Sequence, residues 1–163
     1  MDREILFKGK RIDNGEWVEG TPINTHIGVF MCFDENTHYC SQYGYMEIDE
    51  IVKMIPETLC QYTGLTDKNS QEIWENDILC AHGNPNDIYQ VCFGEFDVMN
   101  LEDETITDKV VGWYMKVIPT EDVLSMLAPF NADMPLNEIW VENCGLEAIG
   151  NVFDNPELLE GGD

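Results

Sequence analysis

The chain has 163 residues, the length of one domain, and 44% of them are hydrophobic and 10% aromatic. That is enough apolar surface to offset the entropy of ordering, so global disorder is excluded. Its 8 Lys+Arg stand against 32 Asp+Glu, a formal net charge of −24, which repels phosphate backbones and anionic lipid headgroups and suits a basic partner or plain solubility.

Four of the eight cations, Arg3, Lys8, Lys10 and Arg11, lie close together at the start. Glu4, Asp13, Glu16 and Glu19 stand beside them and offset most of their field. Direct nucleic-acid binding is therefore not expected. Residues 4 to 20 read as a hairpin: Ile5-Leu6-Phe7 and Trp17-Val18 are β-type residues, and Asp13-Asn14-Gly15 supplies the left-handed conformations of a tight turn. Ile27 to Phe33 is a short apolar run that reads as a strand buried on both faces, with the aromatic stretch Tyr39 to Ile48 expected to pair with it. Residues 49 to 55 form a strand or bend that stops at Pro56.

From Pro56 onward, turn and strand signals alternate closely. Gln61-Tyr62-Thr63-Gly64-Leu65, Glu72-Ile73-Trp74 and Ile78-Leu79-Cys80 are separated by Asp67-Lys68-Asn69-Ser70 and Glu75-Asn76-Asp77, whose side chains close turns on their own backbone. A loop over His82 to Asp87 follows, then a hairpin of Ile88 to Phe93 and Phe96 to Met99 around Gly94. The acidic stretch Leu101 to Asp108 reads as an exposed loop or hairpin tip, and Gly112 to Ile118 as a strand. Thr120 caps a short helix over 121–127, with acids in its first turn and Pro129 beyond its end. Residues 129 to 137 are read as loop, Glu138 to Glu142 and Leu146 to Ile149 as strands, and Asn155 to Leu159 as a helical turn. The fold expected is mainly β, a β-rich α+β arrangement: a curled antiparallel sheet or small SH3-like barrel with an N-terminal hairpin and one short helix near 121–127. One domain is expected over residues 1–160, with a disordered tail at 161–163.

Met1-Asp2-Arg3-Glu4 does not resemble the basic opening of a signal peptide, and no apolar run approaches the roughly 20 residues that cross a bilayer. A cytoplasmic protein of a bacterial host, with no membrane partner, is the expectation. The six cysteines, at 32, 40, 60, 80, 92 and 144, are then reduced thiols acting mostly as small core residues. His38-x-Cys40 and Cys80-x-His82 are mirror-image pairs of zinc-ligand type, but neither is a CxxC knuckle, and no metal or other cofactor is expected. Asp67-Lys68-Asn69 opens like a calcium loop, yet Glu72 and Ile78 stand where Gly and Glu are required. No GxSxG elbow or phosphate-cradling glycine loop is present, and His26, His38 and His82 lie in polar, turn-like surroundings. No catalytic residue is assigned, and the chain is not read as an enzyme.

Three segments carry a more specific signal. Ile5-Leu6-Phe7-Lys8-Gly9-Lys10-Arg11 with Asn14-Gly15-Glu16-Trp17-Val18-Glu19-Gly20 opens the chain. Pro56-Glu57-Thr58, Gln61-Tyr62-Thr63-Gly64-Leu65, Asp67-Lys68-Asn69 and Ile73-Trp74-Glu75-Asn76-Asp77-Ile78 fill the middle, and Ile149-Gly150-Asn151-Val152-Phe153-Asp154-Asn155-Pro156-Glu157-Leu158-Leu159 closes it. Together these resemble the YopX family of bacteriophage and prophage proteins. The family usually has Val-Gly where this chain has Leu59-Cys60, and Gly where it has Ser70 and Asn76. Asn adopts the left-handed conformation next best after Gly, and Ser does so less readily. The resemblance implies a phage or prophage gene, a mainly β fold and a homo-oligomer; it implies no catalytic mechanism.

Gln61, Tyr62, Thr63, Trp74, Glu75 and Asp77 are the candidate ligand- or partner-binding residues, although turn and strand specification explains the same residues as well. The function expected is that of an accessory protein acting by self-association and by binding a host or phage protein. Two alternatives compete with it. One is an acidic DNA mimic using Glu47, Asp49, Glu50 and Glu102-Asp103-Glu104; the other is a small-ligand module or enzyme with a pocket near Tyr62, Trp74 and Asp77.

Overall fold

The structure, a computed structural model, describes residues 5–33, 37–48, 50–100, 105–127 and 131–160. The expectations placed on Arg3, Asp49, Glu102-Asp103-Glu104, Pro129 and the tail 161–163 lie outside the described residues. The protein is mainly β, with 52% strand and 13% helix, and its sheets are antiparallel. The chain divides into two compact units, residues 1–62 and 63–163.

In the first unit, β1 (Phe7–Lys10) and β2 (Trp17–Thr25) form the expected N-terminal hairpin. Gly15 supplies its left-handed turn residue, at φ 73°. The Asn14 Oδ1 accepts from the Glu16 N–H at 3.0 Å, and the Arg11 guanidinium holds Asp13 at 2.7 Å. β3 (Gly28–Cys32) pairs with β2 and with β6 (Ile51–Lys53). Here the expectation is corrected: β4 (Thr37–Cys40) and β5 (Tyr45–Ile48) pair with each other rather than with β3, whose two edges β2 and β6 already fill. Nor is β3 fully buried, since Val29 and Phe30 remain half-buried while Met31 and Cys32 are enclosed. The sheet curls enough for Met54 to bridge Arg11, with the Ile12 N–H on the Lys53 carbonyl at 3.0 Å. It is not a closed barrel, so the curled sheet stands and the SH3-like barrel alternative does not. Met31, Val52 and Met54 form the core of this unit. Gly20 is required there by close approach, because a Cβ would run into the Cys32 carbonyl.

β7 (Cys60–Thr66) begins beside β1 in the first unit and ends in the second, where it neighbours β8 (Glu72–Trp74). The main sheet of the second unit has the order β12-β11-β10-β9-β13, with β9 (Asp77–Cys80), β10 (Ile88–Met99), β11 (Ile106–Val117), β12 (Met134–Pro135) and β13 (Glu147–Asn151). Side chains on β9 alternate between two cores. Leu79 joins Tyr89, Val91, Met115 and Leu146 on one side, and Ile78 and Cys80 join Ile88 and Ile118 on the other.

Residues 88–99 are one continuous strand, not a hairpin turning at Gly94. Gly94 sits opposite Gly112 in a ladder with β11 that keeps one register from Tyr89 to Val98, and neither is among the left-handed glycines. Ile106 to Asp108, expected in an exposed loop or hairpin tip, extend β11 along this ladder past a one-residue register shift at Val98/Met99.

Helix α1 (Glu121–Ser125) is capped as expected, with the Thr120 hydroxyl accepting from the Val123 N–H at 3.2 Å. A second helix, α2 (Glu138–Cys144), replaces the strand expected at 138–142. The β-branched Ile139 and Val141 favour a strand, but local capping overrides them. The Asn137 side chain accepts from the Trp140 N–H at 3.0 Å, and Gly145 ends the helix at φ 54°. Val141 and Cys144, three apart, then face the core together. The closing helical turn is a short 3-10 helix over Pro156–Glu160.

Candidate functional site

Of the six residues singled out from the sequence, Gln61 and Tyr62 are half-buried on β7 in the first unit, while Thr63, Trp74, Glu75 and Asp77 belong to the second. Three of these last four are interior. Thr63 is 6% exposed, Trp74 4% and Asp77 6%. The Thr63 hydroxyl donates to the Ile73 carbonyl at 2.7 Å and accepts from the Leu65 N–H at 3.2 Å, tying β7 to β8. Asp77 Oδ2 accepts from the Trp74 N–H at 2.8 Å and so closes the turn between β8 and β9. Asn76, between them, takes φ 67°, donates its N–H to the Val91 carbonyl and receives the Gln90 amide on its Oδ1 at 3.0 Å.

The remaining motifs are also fold-building. Asp67 is 5% exposed and its carboxylate gathers three backbone donors: the N–H groups of Asn69 at 2.8 Å, Gln71 at 2.9 Å and Ala148 at 3.1 Å. It therefore shapes its own turn and fastens it to β13, 81 residues away in sequence. Ser70 takes φ 64° in that turn. In the closing motif, Asn151 Oδ1 accepts from the N–H groups of Phe153 and Asp154, both at 3.0 Å. A Cβ on Gly150 would collide with the Asn155 side chain, which accounts for the Gly-Asn pairing at that spacing.

Two surface features were not legible from residue spacing. One is a trough in the second unit. A cavity of about 480 Å³ is lined by Leu65, Asp67, Lys68, Glu138, Val141 and Glu142 among others, and a second of about 500 Å³ adjoins it at Leu65 and Glu138, reaching Trp113, Leu136 and Ile139. Lys68 is already paired with Glu147 at 2.5 Å, an exchange that raises the lysine pKa. The other feature is the long hairpin of β10 and β11. β9 pairs with β10 only through Ile88–Gln90, and β12 with β11 only through Tyr114 and Met115. The outer part of this ribbon carries no third strand among the described residues. Every residue of β11 from Ile106 to Val111 is exposed, with Ile106 at 60% and Val111 at 66%.

All six cysteines are free thiols, and Cys32, Cys60, Cys80 and Cys144 are buried. Burial raises the pKa of Cys80, Cys92 and Cys144, which disfavours their thiolate forms. Among the described residues no three His, Cys, Asp or Glu side chains are grouped as a metal ion requires, and no helix is long and apolar enough to cross a membrane.

A family model described as YopX protein matches residues 7–160. No curated protein matches the chain. In fold it is similar to the crystal structure of protein EF1440 from Enterococcus faecalis, with a TM-score of 0.55 and 20% sequence identity, over 98% of this chain and 100% of that one.

Proposed function

The chain belongs to the YopX family, and on that footing we propose that it is a phage- or prophage-type accessory protein that works without catalysis. It self-associates through the hairpin of β10 and β11, and the assembly binds a protein of the phage or its bacterial host. The observation that carries this reading is the exposed outer ribbon. A two-stranded hairpin is marginally stable alone, and unpaired strand edges are templates for another chain. This ribbon has apolar Val110 and Val111 on opposite faces, both exposed, which a neighbour would cover.

Charge permits a second copy as that neighbour. In a chain with a net charge of −24, like copies repel over most of the surface. Along residues 105–113, however, Asp108 and Lys109 balance each other. Lys109 also neutralises part of the facing strand, reaching Glu95 at 3.1 Å and Asp97 at 3.6 Å. This single cation thus offsets one of the three described acids on the ribbon, which eases repulsion between copies there.

Light scattering on the protein as it elutes from a sizing column tests the proposal. The wild type is expected to have the mass of a multimer, and Val111→Asp that of a monomer with an unchanged circular dichroism spectrum, since Val111 is exposed. A wild type that elutes as a monomer at high micromolar concentration would overturn it.

A further inference from the structure

The trough beside α2 presents an apolar floor beneath unbalanced negative charge. Leu136 and Val141 are buried in the floor, Leu65 and Trp113 are half-buried, and Ile139 stands 67% exposed at the wall. The charged groups of the rim differ in what they already hold. Asp67 already accepts from three backbone N–H donors, and Lys68 is bound to Glu147. Glu138 and Glu142 are exposed, four residues apart on one helix, and pair with no cation among the described residues. Like charges at that spacing repel and weaken the helix that carries them. A cation laid between them would relieve that repulsion.

We propose that this trough receives a short segment of a partner protein carrying Lys or Arg between apolar side chains. The apolar side chains enter the two cavities over Leu65, Trp113 and Val141, and the cation spans the carboxylates of Glu138 and Glu142. Each cavity falls within the size of sites that bury small ligands or a few side chains. Charge alone would draw a basic segment to many places on so acidic a surface. The apolar floor is what localises it, and the unpaired glutamates set the sign of the partner.

The test is a titration, followed by nuclear magnetic resonance, with two synthetic peptides: one alternating Lys and Leu, and a counterpart with Glu in place of Lys. At about 0.15 M salt, where long-range attraction is screened, the Lys peptide should shift the Trp113 indole signal and the Leu65 and Val141 methyl signals. The double variant Glu138→Gln with Glu142→Gln should bind it at least about fivefold more weakly, and the Glu peptide should leave these signals in place. Neutralising Glu19 and Glu50, exposed acids of the other unit, should change nothing. Shifts scattered over the acidic surface, equal binding by the double variant, equal binding of the Glu peptide, or no binding would each overturn the proposal.

Discussion

Ser70, Asn76 and His82 hold left-handed backbone at φ 64°, 67° and 55°, a conformation that costs an ordinary L-residue about 1–2 kcal/mol and Asn less. Each marks a turn that glycine would accommodate freely. Two of the three were legible beforehand, because Ser70 and Asn76 stand in Asx-rich turn strings between strand signals. Asn76 also uses its side chain to receive Gln90, so replacing it with glycine exchanges one gain for another loss. Ser70 is exposed, and its N–H already reaches the Asp67 carbonyl at 2.9 Å. Ser70→Gly should therefore stabilise the protein by about 0.5–1 kcal/mol, the relief of strain outweighing the added flexibility of the unfolded chain. Urea unfolding checks this: the midpoint should rise with the slope unchanged. The six candidate binding residues show the limit of such reading. Thr63 and Asp77 have the polar groups that a site needs, but whether they face solvent or the Ile73 carbonyl and the Trp74 N–H is decided by neighbours that local sequence does not name.

Among the elements, the N-terminal hairpin and the Thr120-capped helix were readable because their determinants sit within a few residues of one another: Asn14-Gly15 between β-type runs, and a hydroxyl before an acidic first turn. α2 carries the same kind of signal in Asn137 and Gly145, yet Ile139-Trp140-Val141 between them favours a strand. Capping prevailed because it satisfies orphan N–H and carbonyl groups at both ends while Val141 and Cys144 reach the core. Asn137→Ala should then cost about 1 kcal/mol. Because α2 walls the trough, it should also broaden the signals of Leu65 and Val141 in the resonance spectrum. A drop in thermal midpoint without that broadening would uncouple the cap from the trough. Gly94 misled the reading in the opposite direction. A glycine inside a β-type run suggests a turn, but here it lies opposite Gly112, with paired residues on both sides of it on β11.

At the scale of the molecule, the enclosed ionisable groups of the second unit give a pH dependence with a definite sign. Burial, together with a hydrogen bond to the carboxylate of Asp87, raises the Tyr89 phenol pKa, and burial raises those of the Cys80, Cys92 and Cys144 thiols. A folded pKa above the unfolded value favours the protonated form in the native state. The associated stability is fully present below the unfolded pKa and is lost as pH rises above it. Unfolding free energy should thus decline as pH passes the ordinary thiol value of 9.0 and more steeply past the phenol value of 10.0. Urea melts between about pH 7 and pH 10.5 measure it, and a flat profile would mean that these groups titrate alike in both states. The amino-acid sequence by itself determined the β class, the sites of most turns, the N-terminal hairpin, the first helix cap and the family. Those depend on left-handed tolerance, side-chain-to-backbone hydrogen bonds and β-branched runs, all of which act over a few residues. Only the tertiary structure decided which strands are neighbours, that residues 138–144 are helical, that Asp67 fastens a turn to β13, and that a trough and a bare-edged ribbon exist. Each of these joins residues distant in the chain, and the energy of such a contact depends on what the rest of the fold brings opposite it.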